Sequence, residues 1–134
     1  MTRERPAKPA TILFVDDDKI LLDLMRRLLT FGGHKPLTVS SGAAAERLVQ
    51  ERGAEIDLAI LDLKMPEMNG LELMERLRAS QPRLKVLLVT GYSPQAISER
   101  YGIPDSQILR KPFDMAAVLS KIREVLDSPG EESA

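Results

Sequence analysis

The chain has 134 residues, 43% hydrophobic and 29% charged, and its 19 Lys plus Arg against 20 Asp plus Glu leave a formal net charge of −1. That length suits one domain with its own core, and the balanced charge argues against a nucleic-acid binder driven by bulk electrostatics. No apolar run approaches the ~20 residues of a membrane span, MTRERPAKPA lacks the apolar segment of a signal peptide, and the absence of Cys excludes disulfides, thiolate metal sites and a thiol nucleophile; a cytoplasmic protein is expected.

Residues 1–10, with Pro6, Pro9 and mixed charge, read as a flexible N-terminal tail. TILFV (11–15) is a continuous apolar run, as a strand buried on both faces should be. It leads straight into Asp16, Asp17 and Asp18. Leu21, Leu24, Met25 and Leu28 then recur at helical spacing, and FGG (31–33) ends that helix. PLTVS (36–40) is a weaker strand, AAAERLVQER (43–52) a helix with Ala45, Leu48, Val49 and Arg52 on one stripe, and IDLAILD (56–62) a third strand.

KMPEMNG (64–70) is a loop, with Met65 and Met68 as packing residues. Asn69 can cap the next helix, LELMERLRAS, with Glu72 as the reciprocal half of a capping box. LKVLLVT (84–90) is a strand, and Ser93 followed by Pro94 opens a short helix to about Arg100. SQIL (106–109) reads as the fifth strand, and Met115, Val118, Leu119, Ile122 and Leu126 mark a last helix. SPGEESA (128–134) reads as a flexible C-terminal tail, leaving 11–127 as the folded domain. Strands separated by helices pair in parallel through right-handed crossovers. The expected fold is therefore α/β, a (βα)5 doubly wound parallel five-stranded sheet of flavodoxin-like order 2-1-3-4-5.

The polar residues concentrate at strand ends. Asp16 and Asp17 follow the first strand, Asp62 ends the third, Thr90 ends the fourth and Lys111 follows the fifth. In a parallel sheet these ends share one edge, where such folds bind ligands. With strands 1 and 3 adjacent, Asp16, Asp17 and Asp62 converge on one crevice, and three carboxylates sharing a crevice need a cation. Oxygen ligands suit Mg²⁺ or Mn²⁺. A metal, an ammonium and a hydroxyl around a carboxylate describe a site that stabilises a phosphoryl group, and the carboxylate itself can be the nucleophile.

FVDDD, AILDLKMPEMNG, LLVTGYS and ILRKPF, in this order, resemble the receiver domains of two-component response regulators, over about Thr11 to Leu126. The resemblance implies Asp62 as phosphoacceptor. It implies Asp17 as a direct Mg²⁺ ligand and Asp16 as a direct or water-mediated one, with Asp62 and the backbone carbonyl of Lys64 completing the protein's share. Thr90 would bind a phosphoryl oxygen, Lys111 would pair with the phosphoryl group, and Lys111–Pro112 would be cis. The donor would be a histidine kinase or histidine phosphotransfer protein, with output by protein–protein contact, no direct nucleic-acid or membrane binding, and slow autophosphatase chemistry instead of enzymatic turnover. Asp18 reads as a helix N-cap or a solvated first-turn charge.

Two positions depart from the family pattern. The family often carries Tyr or Phe three residues before the lysine as a reporter of phosphorylation, where this chain has Ile108; and Gly91 follows Thr90 where Ala is commoner. TGYS followed by ILRKPF is closer to receivers of hybrid kinases and phosphorelays. A stand-alone regulator and a receiver from a larger hybrid both fit, as does a monomer. Lys64 and Tyr92, each two residues beyond a site residue, are candidates for tuning the lifetime of the phosphorylated state.

Against this stand two other readings. A Mg²⁺-dependent aspartyl-phosphate phosphatase would use a D-x-D pair, which Asp16 and Asp18 supply, but it leaves Asp62 unexplained. A pseudo-receiver would only bind partners, and the full set of Asp, Thr and Lys argues against it. His34 is expected to be an ordinary loop residue, and Arg26 and Arg27 solvated charges.

Overall fold

Alternate residues of each strand point to opposite faces, and the apolar runs of this chain feed two cores at once. The computed structural model describes residues 9–64 and 69–127. Five parallel strands, β1 (Thr11–Val15), β2 (Lys35–Val39), β3 (Leu58–Asp62), β4 (Lys85–Thr90) and β5 (Ile108–Arg110), form one sheet in the order β2-β1-β3-β4-β5. Five helices connect or follow them: α1 (Lys19–Phe31), α2 (Gly42–Arg52), α3 (Gly70–Ser80), α4 (Pro94–Tyr101) and α5 (Met115–Asp127). This is the flavodoxin-like doubly wound fold expected from the sequence.

On one face, Ile12, Phe14, Leu58, Ile60, Leu87 and Val89 pack with Met25, Leu28 and Leu29 of α1 and Val118, Ile122 and Val125 of α5. On the other, Leu13, Val15, Ala59, Leu61, Val86 and Leu88 pack with residues of α2, α3 and α4. Covering both faces is what makes the strands continuously apolar instead of alternating.

Local chemistry sets the element ends. Asp18, Ser41, Asn69 and Ser93 each cap a helix by accepting backbone N–H bonds, and Pro94 sits in the first turn of α4, where its missing donor costs nothing. Gly102 ends α4 at φ 72°, a left-handed conformation glycine adopts without strain.

Several boundaries differ from the sequence expectation. Ser106 and Gln107 do not begin the fifth strand. They lie in a 3₁₀ turn, Asp105–Gln107, closed by the Gln107 N–H on the Pro104 carbonyl, and pairing with β4 starts only at Ile108. Ile56 likewise closes a 3₁₀ turn on Gly53 before β3 begins. Ala10, assigned to the tail, is buried; its carbonyl accepts from Lys35 N–H and its own N–H donates to His34. The remaining tail residues 1–8 and 128–134, and Met65 and Met68, lie outside the described residues. Arg52 leaves the buried stripe of α2 and pairs with Glu55. Leu24 is 55% exposed while Leu29 is fully buried, because the inward row of α1 lies one position further round the helix than the leucine spacing suggests. No described helix is long and apolar enough to cross a membrane.

Candidate functional site

The C-terminal ends of β1 and β3 are adjacent, as the register Val15–Leu61 requires; Asp16 directly follows β1 and Asp62 ends β3. One carboxylate oxygen from each of Asp16, Asp17 and Asp62 lies within 4.8 Å of the others. Asp16 and Asp62 are buried, and Asp17 is exposed at the mouth. Lys111, just past β5, reaches across: its Nζ donates to Asp62 Oδ2 at 3.1 Å and lies 3.6 Å from Asp16 Oδ2. The Lys111 N–H also donates to the Thr90 carbonyl, and the Lys111–Pro112 peptide is cis.

Backbone donors hold the carboxylates in place. Asp16 Oδ1 accepts from Asp18 N–H at 2.9 Å, and Asp62 Oδ1 accepts from Lys64 N–H at 3.1 Å. Asp18 Oδ1 in turn accepts from Ile20 and Leu21, so of its two expected roles it takes the N-cap of α1. Thus the third aspartate of the run caps the helix through Oδ1, while Asp62, which the phosphatase alternative leaves unexplained, stands with Asp16 and Asp17 in the cluster.

Asp16 Oδ2 is buried and has no hydrogen bond. Burial pushes the Asp16 carboxyl from 3.8 up to about 6; the bond from Asp18 opposes this, and the hydrogen bond and charge of Asp62 add to it. Burial alone would lower the Lys111 pKa, but the hydrogen bond and charge of Asp62, then Asp16, outweigh it and raise the value above the ordinary 10.5. One ammonium between two buried carboxylates leaves an excess of negative charge, which a bound cation would offset. The orphaned oxygen and the all-oxygen donor set fit a hard divalent ion.

Thr90 is 3% exposed at the end of β4, and its Oγ1 accepts from Tyr92 N–H at 3.0 Å. Tyr92 is 60% exposed and Lys64 is exposed. Ile108, by contrast, is buried in the core beside Leu88 and Ile97 and does not reach solvent. His34 is a half-buried residue whose Nδ1 accepts from Ala10 N–H, far in sequence from the aspartates.

One residue carries a role the sequence motif alone did not reveal. A Cβ on Gly70 would stand 2.6 Å from the Asp62 carbonyl oxygen and 2.9 Å from Leu63 Cα. Only glycine lets α3 start this close to the strand that presents Asp62, with its N–H on the Leu63 carbonyl at 2.8 Å. The available signal was the position of Gly70 after the capping Asn69, at the end of the loop that follows Asp62.

The family model for the response regulator receiver domain matches residues 12–123. The chain is 35% identical over 123 residues to the transcriptional regulatory protein GlrR of Escherichia coli (strain K12), covering 90% of this chain and 27% of that protein's length. It is 30% identical over 116 residues to the response regulator receiver protein CpdR of Brucella abortus (strain 2308), covering 86% of this chain and 95% of that one. The crystal structure of a response regulator receiver protein from Sinorhizobium medicae WSM419 superposes with a TM-score of 0.76 at 30% identity, covering 92% of this chain and 98% of that chain. With the sheet order, the acidic cluster and the family match in agreement, the chain belongs to the response regulator receiver domains, the signalling modules of two-component systems.

Proposed function

We propose that Asp62 accepts a phosphoryl group from a phosphohistidine, on a histidine kinase or a histidine phosphotransfer protein in the cytoplasm, in a Mg²⁺-dependent reaction for which Mn²⁺ can substitute. The observation that carries this reading is the Lys111 ammonium at 3.1 Å from Asp62 and 3.6 Å from Asp16, beside a buried Asp16 oxygen that has no hydrogen bond. That arrangement has a place for a cation and a place for an anion.

An Asp62 carboxylate oxygen attacks phosphorus, the P–N bond of the donor breaks, and the imidazole keeps the electron pair. Asp16 and Asp17, with Asp62 and the carbonyl of Lys64, would hold the ion; when bound, it neutralises charge on the phosphoryl oxygens. Lys111 keeps its proton and pairs with the same oxygens after transfer. The Thr90 hydroxyl turns to donate to one of them. Slow hydrolysis of the acyl phosphate returns Asp62 and inorganic phosphate, with the long side chains of Lys64 and Tyr92 screening the bond from water. Ile20, Leu24 and Phe31, exposed at 82%, 55% and 73% on one face of α1, offer an apolar surface for the phosphate donor.

The test is intact mass after incubation with acetyl phosphate and Mg²⁺. One added phosphoryl group on the wild type, lost with EDTA and absent in Asp62→Ala, is the expected result. An adduct persisting in Asp62→Ala places the nucleophile elsewhere.

A further inference from the structure

Building on that phosphoacceptor role, we infer that Tyr92 is the moving aromatic reporter of this chain: its ring stands at the rim of a cavity at rest and closes into it when the Thr90 hydroxyl turns to the phosphoryl group.

The aromatic inventory narrows the choice. The chain has three Phe, two Tyr and no Trp. Phe14 and Phe113 pack in the core on the α1 and α5 face, and Phe31 is on α1. Ile108 is 2% exposed and fixed among Leu88, Ile97 and Ile103, so β5 has no ring to swing. Both tyrosines, in contrast, line a single cavity of about 680 Å³ whose walls include Leu63, Leu71, Thr90 and Ile97. Its wall is mostly apolar side chain, suited to a phenol ring, and it opens directly beside Thr90.

Of the two, only Tyr92 is mechanically tied to Thr90. Its N–H donates to Thr90 Oγ1 at 3.0 Å, so the side-chain orientation that satisfies this bond also fixes the start of the loop. Turning the hydroxyl toward Asp62 removes that acceptor. Gly91, between the two residues, has nothing within 4 Å of where a Cβ would be, so no neighbouring group packs against that side of the backbone, and glycine itself restricts φ and ψ least. Tyr101 sits on the last turn of α4 with the Arg100 guanidinium 5.5 Å from its ring centre, and its backbone is held by the helix. Tyr92, a residue 60% exposed against 45% for Tyr101, has the more surface to remove from water on entering the cavity. The surface a partner reads is then the β4–α4 loop, bearing the ring in one state and lacking it in the other.

The absence of Trp makes this measurable, because tyrosine fluorescence reports these residues alone. Tyr101→Phe leaves Tyr92 as the single fluorophore. Its quenching by acrylamide is measured with and without acetyl phosphate and Mg²⁺, with intact mass taken on the same samples. The expected result is a fall of at least about two-fold in the quenching constant in the sample that carries the phosphoryl group, as an exposed ring becomes buried. A second variant, Thr90→Val on the same background, removes the acceptor without phosphate and is expected to lower the quenching constant in the same direction. A phosphoryl adduct with unchanged quenching overturns the inference, as does unchanged quenching in Thr90→Val. Failure to form any adduct is a failure of the phosphoacceptor reading, visible in the mass alone, and the Thr90→Val arm still decides whether Thr90 holds the ring out.

Discussion

The two edges of the sheet are built on opposite plans. At the N-terminal edge, buried charges that oppose one another are absent among the described residues: Thr11 N–H donates to Asp57 at 2.8 Å, Ala10 N–H to His34 at 3.2 Å, and Lys85 Nζ to the Leu126 carbonyl at 2.8 Å, closing the end of α5, while Arg78 Nε donates to the Leu84 carbonyl and only its Nη2 is buried without a partner. At the C-terminal edge, two buried carboxylates share one ammonium and one oxygen goes without a hydrogen bond. The first edge closes the domain. The second holds unspent electrostatic energy that a ligand can release. The proposed phosphoryl chemistry sits where buried carboxylates outnumber the ammonium between them, so that a bound cation and the protein stabilise one another.

The largest expected effect breaks the C-terminal edge. Asp16→Asn should stabilise the metal-free protein at pH 7 to 8. A folded carboxyl raised from 3.8 to about 6 contributes stability that is present below 3.8 and lost as pH rises through about 6. At full strength that difference corresponds to ~3 kcal/mol; solvent at the open mouth screens part of it, leaving about 1 to 3 kcal/mol. Urea denaturation of both proteins should show the gap closing as pH falls from 6 toward 4. Added Mg²⁺ should raise the Tm of the wild type and leave Asp16→Asn nearly unchanged. A variant no more stable than the wild type at pH 8 would mean the edge is not strained.

Gly70→Ala comes next, at about 1 to 3 kcal/mol of destabilisation, because the new methyl meets backbone on two sides and cannot be relieved by a side-chain rotation. Slower phosphate uptake should accompany it, read by a mass time course, since the atoms that must shift belong to Asp62 and Leu63.

The N-terminal edge gives the complementary result. Asp57→Ala removes the acceptor of Thr11 N–H and should cost about 0.5 to 1.5 kcal/mol while leaving phosphate uptake unchanged. A loss of uptake there would erase the distinction between the edges. The smallest effect belongs to His34. Burial, then the charge of Arg123, lower its pKa below the ordinary 6.5, with Asp57 opposing. A histidine depressed on folding contributes stability that is present above 6.5 and lost as pH falls through its folded value. His34→Gln should therefore flatten the fall in stability below pH 6.5, and a denaturation series in that window checks it.

Much of this molecule is legible in its amino-acid order. The continuous apolar strands point to the parallel sheet, and the polar residues after β1, β3, β4 and β5 point to the site, because a parallel sheet puts all those ends on one edge. Element ends set by tertiary pairing are less legible. Ser106 and Gln107 read as strand because nothing local forbids it; the 3₁₀ turn appears only once Ile108 is aligned with Leu88. Leu24 and Leu29 are chemically identical, and only the placement of the sheet decides which one is buried. The role of Gly70 depends on a backbone contact across the β3–α3 loop, which spacing does not encode. The bond from Tyr92 to Thr90 is equally silent, since any residue but proline supplies that N–H.

The sheet also acts as a partition. Its strands send alternate side chains into two separate clusters, one served by α1 and α5 and the other by α2, α3 and α4. The exposed apolar row of Ile20, Leu24 and Phe31 lies on α1, a helix of the first side, and the Tyr92 cavity is lined by Leu63, Leu71 and Ile97 of the second. With the proposed donor surface on α1 and the proposed response at Tyr92, substitutions that redirect the choice of phosphate donor would fall on one side of the sheet and leave the response on the other intact. Such a layout favours duplicated copies that acquire new circuits by rewriting one helix surface, and it gives an engineer the same freedom.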